Sequence, residues 1–314
     1  MDILLLLIGL ALILGGANYL TDGASALAQR LRMPEFLIGL TIVAVGTSMP
    51  EMVVSVLSAL NGQSDMAMGN VVGSNLFNAF VILGVCAVVR PIGFTRSNIR
   101  FDIPFGVATS LLLLILALDT LVGTGSTDSL SRLDGILMLL LYIALMIYTI
   151  RTAERPKEQP SEKKPMAAWL MVVMIVGGLC GLIFGGDLFL HSATNIARAF
   201  GISESVIAIT LVAGGTSLPE LAASIVSLIK GKADLALGNV LGSNIANILL
   251  ILGVSATINP LTMGGIVPRD LLMVLLSAVL IFVSAFTFRR QELDRTEGVI
   301  FLALYAGYIY LLVA

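Results

Sequence analysis

The sequence offers almost nothing for thiol, redox or soft-metal chemistry. Its 314 residues include two cysteines, Cys86 and Cys180, and one histidine, His191. They offer no disulfide framework and no zinc-type ligand spacing. Both cysteines fall in apolar stretches, where buried thiols pack as small hydrophobes. His191 falls at the outer end of one, and is expected at the surface. Charge is equally scarce: Asp, Glu, Lys and Arg make up 12%, against about 25% in soluble domains. Hydrophobic residues make up 57%, and mean hydropathy is +1.00. A soluble globular chain is thereby excluded, and a multi-pass protein of the cell membrane is expected. The net charge of −2 singles out no partner beyond the lipid bilayer, and no nucleic-acid contact is expected.

Ten apolar stretches can be marked off, near 3–21, 35–60, 66–89, 101–119, 133–150, 167–190, 204–229, 234–258, 270–288 and 297–313. Each approaches the roughly 20 residues that a bilayer core demands of a helix. The first has an acidic flank and no small-residue cleavage site, so it reads as a span and not a removable signal. Of the eighteen Lys and Arg residues, fifteen fall in the odd-numbered connections between these stretches. Only Arg132, Arg198 and Arg269 fall on the other side. Positive charge favours the cytoplasm, so both termini are expected outside.

The chain is also written twice. Displaced by 169 residues, positions 41–78 fall on 210–247 without a gap, and 20 of the 38 positions are identical. The identities include Gly-Thr-Ser-x-Pro-Glu and Gly-Asn-Val-x-Gly-Ser-Asn-x-x-Asn, and the register extends to Glu35 with Glu204 and Pro91 with Pro260. Each copy holds five stretches, an odd number, so the second must enter the membrane from the opposite side. Such inverted repeats are typical of secondary transporters. The expected organisation is an all-α protein of ten transmembrane helices, with one five-helix repeat at 1–150 and another at 167–314. Between them, 151–166 (RTAERPKEQPSEKKPM) reads as a flexible cytoplasmic linker.

Of twenty acidic residues, eighteen fall in connections or near the ends of stretches. Asp65 and Asp234 read as N-caps, and Glu35 and Glu204 sit where a helix dipole favours negative charge. Glu51 and Glu220 alone lie deep, about 16 residues into their stretches, where a carboxylate costs at least ~2.5–3.5 kcal/mol. Helical spacing puts Thr47, Glu51 and Ser55 on one stripe, with Ser48 and Ser58 beside it. Pro50 lacks the amide hydrogen that would meet the Gly46 carbonyl, so the helix should kink or break there. Thr216, Ser217, Glu220, Ser224 and Pro219 repeat the pattern.

The following stretch adds Ser74, Asn75 and Asn78, which share a face, and in the second copy Ser243 and Asn247. Gly69, Gly73 and Gly84 suit close helix approach. Asn70 and Asn239, near the ends, read as interhelical ties. Hydroxyl, amide, carboxylate and freed carbonyl oxygens with no nitrogen or sulfur ligand suit hard cations, whether Ca²⁺, Na⁺ or Mg²⁺. Protonated glutamates bonded to neighbouring helices would be the plain structural alternative.

The words GTSMPE…GNVVGSNLFN and GTSLPE…GNVLGSNIAN resemble the repeats of the cation/Ca²⁺ exchanger superfamily, and the whole chain is most similar to its prokaryotic Na⁺/Ca²⁺ exchangers. The resemblance implies a Ca²⁺ site between Glu51 and Glu220, joined by the backbone carbonyls of Thr47 and Thr216. It implies flanking Na⁺ sites using the carbonyls of Ala44 and Ala213 with Ser48, Ser217, Ser74 and Ser243, while Asn78 and Asn247 complete the cluster. It also implies a transporter and not an enzyme, with no cofactor, whose first and sixth helices slide to alternate access. Family members often carry Asp in place of one of the last two Asn; here both are Asn. Proton-coupled relatives tend to carry a glutamate near Gly73 or Ser74, and none is present, which favours sodium as counter-ion. An H⁺/Ca²⁺ antiporter is the nearest rival. A cation channel does not suit the inverted repeat. An intramembrane acid–base enzyme lacks a nucleophile–base pair and a Gly-x-Gly-Asp motif.

Overall fold

The computed structural model describes residues 2–122, 128–152, 166–200, 213–289 and 291–313. Helices occupy each of the ten apolar stretches within those residues. Six are long and apolar enough to cross a membrane unaided: Asp2–Leu31, Ser64–Val89, Asn98–Ala117, Arg132–Thr152, Ala168–Ala199 and Ala233–Ile258. Glu35–Thr47 and Met49–Leu60 are long and apolar enough only when taken together, and they are bent by 49° at the break between them. Of the remainder, Pro268–Ser284 has 17 residues and Leu218–Ile229 has 12. Arg295–Val313 opens on the charged Arg295 and Glu297. Glu204, the start of the stretch at 204–229 and nearly all of the 151–166 connector lie outside the described residues.

The packing divides the chain differently from the sequence repeat. One compact unit comprises Met1–Ser48 with Tyr148–Gly242, the other Met49–Ile147 with Ser243–Ala314. Each unit therefore takes segments from both copies.

In the first unit the long helices Asp2–Leu31 and Ala168–Ala199 pack along a seam of small residues. A Cβ added to Gly16 would come 2.7 Å from the Gly178 carbonyl oxygen, and one on Gly178 would come 2.6 Å from the Leu20 nitrogen. Only hydrogen fits at such a backbone approach. Ala17, Leu20, Ala24, Leu182, Ala223 and Leu235 fill the core beside it. Polar ties hold the first helix to its neighbours: Thr21 Oγ1 lies 3.0 Å from Ser227 Oγ, and Lys230 Nζ 2.7 Å from Asp22 Oδ1. Ser25 bonds Glu35, whose carboxylate also meets Lys232 Nζ at 2.6 Å.

The second unit repeats one packing motif twice. Ile92–Gly93 pairs antiparallel with Glu292–Leu293, and Leu261–Thr262 pairs with Ser129–Leu130. Beyond the first pairing, the Gly84 carbonyl lies 2.7 Å from where a Gly298 Cβ would be; beyond the second, the Gly253 carbonyl lies 2.7 Å from a Gly135 Cβ. Positions 84 and 253 are 169 residues apart, as are 92 and 261. The third helix of each copy thus packs on the last helix of the other.

Several expectations need correction. Cys86 is buried, but Cys180 is exposed, because it occupies the outward face of Ala168–Ala199. That helix and Asp2–Leu31 reach 32 and 30 residues, so His191, Asp187 and Asp22 lie within helices and not at their ends; all three are exposed. Asp65 and Asp234 fall inside the first turns of Ser64–Leu76 and Ala233–Ala246, not at the N-caps. Gly84 makes the expected close contact, whereas Gly73 has nothing within 4 Å and Gly69 meets only Ile266. Their counterparts are tight: a Cβ on Gly238 or Gly242 would come 2.2 Å or 2.4 Å from the Phe36 or Leu40 carbonyl oxygen.

Candidate cation-binding residues

Both proline-bearing stretches break just ahead of the proline, after Thr47 in the first copy and after Gly215 in the second. Ser48 has φ −82° and ψ 11°, and Ser217 has φ −90° and ψ 9°. These are twin bridge-region conformations, sparsely populated and recurrent at functional residues. Ser48 is the C-cap of Ala44–Thr47 and Ser217 the N-cap of Leu218–Ile229, and in each copy the next segment carries the proline in its first turn. Glu51 and Glu220 consequently lie in the first turns of Met49–Leu60 and Leu218–Ile229. Unpaired backbone N–H groups and the helix dipole favour negative charge at such a position. Deep within an apolar stretch, the break converts a costly carboxylate position into a supported one.

In the first unit, Thr47, Ser48, Ser217 and Glu220 are buried, Glu220 fully so, and Thr216 is half-buried. Ser48 donates to Glu220 Oε1 at 2.7 Å, joining a hydroxyl of one copy to the carboxylate of the other. Asn239 donates to Ser224 Oγ at 3.0 Å and to the Glu220 carbonyl at 3.4 Å, and accepts from Thr47 Oγ1 at 3.2 Å. The Ala44 carbonyl, expected to face an ion, accepts from the Ser48 amide at 3.0 Å and from Thr47 Oγ1 at 3.3 Å. Ala213 opens the short helix Ala213–Gly215.

In the second unit, Glu51, Ser74, Asn75, Asn78, Ser243 and Asn247 are all buried. Asn70 donates to Ser55 Oγ at 2.9 Å and to the Glu51 carbonyl at 3.2 Å, the same pair of bonds that Asn239 makes. The reading of both asparagines as ties between helices holds. Ser74 Oγ is 3.5 Å from Glu51 Oε1, at the edge of hydrogen-bonding range. Asn247 donates to Asn75 Oδ1 at 3.1 Å.

Among the described residues, both side-chain polar atoms of Asn78, Oδ1 of Asn247 and Nδ2 of Asn75 are buried without a hydrogen-bond partner. Buried amide groups are paired in most native structures, and each exception costs about 1–3 kcal/mol. A cation accepting Asn78 Oδ1 and Asn247 Oδ1 as ligands would offset that cost. Both asparagines belong to π-helical turns, Phe77–Ile82 and Asn247–Leu252. Such widened turns are rare and recur at functional sites. Sequence reasoning missed the turns and gave Asn75 no role beyond sharing a face; its side chain is the one that orients Asn247.

The donor set is oxygen throughout. Among the described residues no group of three or more His, Cys, Asp and Glu side chains is arranged to hold a metal ion. Softer transition metals are poorly served by such a set, and hard cations are well served.

The family described as sodium/calcium exchanger protein matches residues 1–151 and 170–314. CaxA of Alkalimonas amylolytica is 37% identical over 318 residues, covering 98% of this chain and 97% of its own. The sodium/calcium exchanger MaX1 of Methanosarcina acetivorans is 29% identical, covering 99% of this chain and 98% of its own. The fold is similar to that of the sodium-calcium exchanger NCX_Mj soaked with 10 mM Na⁺ and no Ca²⁺, with a TM-score of 0.85, 29% identity and 98% of each chain covered.

Proposed function

The chain belongs to the sodium/calcium exchanger protein family, a family of membrane ion exchangers and not of enzymes, and from that premise we propose that it is an antiporter exchanging Na⁺ for Ca²⁺ by alternating access. Cation/Ca²⁺ antiport follows from the family. Sodium as the counter-ion and the residues that hold the ions are the proposal. The observation that carries it is the repetition of one device: a fully buried glutamate in the first turn of a proline-started helix, once in each unit.

Two carboxylates balance one Ca²⁺. Two or more Na⁺ do the same work. With neither aboard, two bare charges face a dehydrated interior, which is expensive to enclose. Loaded carriers therefore close readily and empty ones do not, and this makes exchange obligatory. Glu51 and Glu220 are assigned the Ca²⁺ charge, with the Thr47 and Thr216 carbonyls as further ligands. Ser48, Ser217, Ser74, Ser243 and the carbonyls of Ala44 and Ala213 are assigned to Na⁺, with Asn78 and Asn247 supplying neutral amide oxygens.

The ten-helix inverted topology with both termini outside belongs to the same proposal, supported by the charge bias of the connections and by the twice-used strand and glycine packing. The glycine seam between Asp2–Leu31 and Ala168–Ala199 supports their moving as one body. Uptake of ⁴⁵Ca²⁺ into proteoliposomes loaded with Na⁺, compared with choline-loaded ones at equal pH, tests the reading. Uptake that requires internal Na⁺ is expected. Uptake indifferent to Na⁺ that follows an imposed pH gradient would reassign the counter-ion to H⁺.

A further inference from the structure

Away from the candidate ion residues, the second unit holds a cavity of about 360 Å³ lined by Arg96, Ile99, Arg100, Ala285, Phe286 and Gln291. It lies where the helix Asn98–Ala117 begins and Pro268–Ser284 ends. Arg96 and Arg100 are four residues apart, the spacing that brings side chains together on one helical face. Both are exposed, and among the described residues neither pairs with a carboxylate. Arg289, in the same Ala285–Gln291 segment that supplies the facing lining residues, is exposed as well. Two neighbouring guanidiniums without an acidic partner match the oxygens of a phosphate group, each through a planar fork of donors.

The opposite wall is built under strain. Phe288 has φ 38° and Gln291 φ 66°, in the left-handed region that a bulky side chain rarely enters. Three sets of bonds enforce this path. The Gln291 amide donates to the Ala285 carbonyl at 2.9 Å, and the Phe94 amide donates to the Gln291 carbonyl at 2.7 Å. The strand pairing of Ile92 with Leu293 then anchors the far side. Strain held in place in this way clusters at ligand clamps. Phe286, which lines the cavity with the arginines, stands 56% exposed, and Phe288 two residues on stands 66% exposed. A soluble phosphate has no use for this apolar flank, whereas a lipid with a charged head and an acyl chain uses both parts. Arg96, Arg100 and Arg289 also belong to connections that the charge bias assigns to one membrane face, and basic pockets at that level suit anionic headgroups.

We propose that this cavity binds an anionic phospholipid, its phosphate held by Arg96 and Arg100 and an acyl chain lying against Ile99 and Phe286. The test uses the purified full-length protein, independently of transport. Retained phosphatidylglycerol is counted by native mass spectrometry, and thermal unfolding is followed with phosphatidylglycerol, phosphatidylcholine, glycerol 3-phosphate or inorganic phosphate added. Phosphatidylglycerol alone should be retained and should raise the unfolding temperature. The double variant R96Q/R100Q should weaken that retention about tenfold or more, the equivalent of one lost contact to a charged group, while Arg151→Gln leaves it unchanged. Phe286→Gln keeps both arginines and should also weaken lipid retention, so the proposal stays testable if the double variant fails to fold. Unchanged retention in these variants, or equal retention of phosphatidylcholine, would overturn the proposal. Equal protection by glycerol 3-phosphate or inorganic phosphate would make the cavity a soluble-phosphate site and overturn the lipid assignment.

Discussion

Replacing Glu220 with glutamine separates an ion-binding carboxylate from a structural one. Glutamine keeps the size of the side chain and an oxygen able to accept the Ser48 hydroxyl, which now bonds Glu220 at 2.7 Å. The substitution removes one negative charge from a fully buried position. With Ca²⁺ bound, one positive charge would remain uncompensated. Removing one partner of a buried ion pair typically costs about 3–5 kcal/mol. At about 1.4 kcal/mol per tenfold, Ca²⁺ affinity should fall by roughly two to four powers of ten. Folding should respond in the opposite direction. A buried carboxylate carries at least ~2.5–3.5 kcal/mol of insertion cost, so the empty variant should unfold at the same temperature as the parent or higher. Initial ⁴⁵Ca²⁺ uptake into Na⁺-loaded proteoliposomes, read beside thermal unfolding with and without Ca²⁺, gives both quantities. Expected are uptake at background, loss of Ca²⁺-dependent stabilisation and an intact fold; Glu51→Gln should match. Near-normal uptake in both variants would refute the assignment of these carboxylates to Ca²⁺. A fold that collapses without Ca²⁺ in either would show that the carboxylate serves structure instead.

Other outcomes follow from single contacts. Asn75→Ala removes the acceptor that orients Asn247; at about 1 kcal/mol net for one hydrogen bond, the KM for Ca²⁺ should rise roughly fivefold with the unfolding temperature little changed. Asn239→Ala breaks bonds to Ser224, Thr47 and the Glu220 carbonyl, and should lower stability by about 1–3 kcal/mol, seen as a fall in unfolding temperature in detergent. Gly178→Leu drives a side chain into the Leu20 backbone; with no room to relax, it should cost about 1–3 kcal/mol or more and reduce the yield of monodisperse protein. Gly73→Ala, with nothing within 4 Å, should leave that yield unchanged.

The sequence alone was enough to identify a helical membrane protein written in two copies, with two glutamates set among oxygen donors. Its information on these points is local: apolar length, the 169-residue repeat, and the stripe of Thr47, Glu51 and Ser55 that helical spacing produces. Proline at positions 50 and 219 announced an interruption for a reason of covalent structure, the missing amide hydrogen. What periodicity cannot report is the partner across space. It places Ser48 near Glu51 in its own copy, yet in the folded chain Ser48 bonds Glu220 of the other copy. Asn75 and Asn247 meet in the same way across 172 residues. The helix ends moved for a related reason. Asp22 and Asp187 would end an isolated apolar span, but packing along the glycine seam continues both helices past them. The π-helical turns at Asn78 and Asn247 depend on tertiary support, since a widened turn gives up regular i→i−4 bonds that the chain alone would keep. Local composition thus determined which residues could hold a cation, and long-range packing decided which of them face one another, because helical spacing specifies a face and only the fold supplies what that face meets.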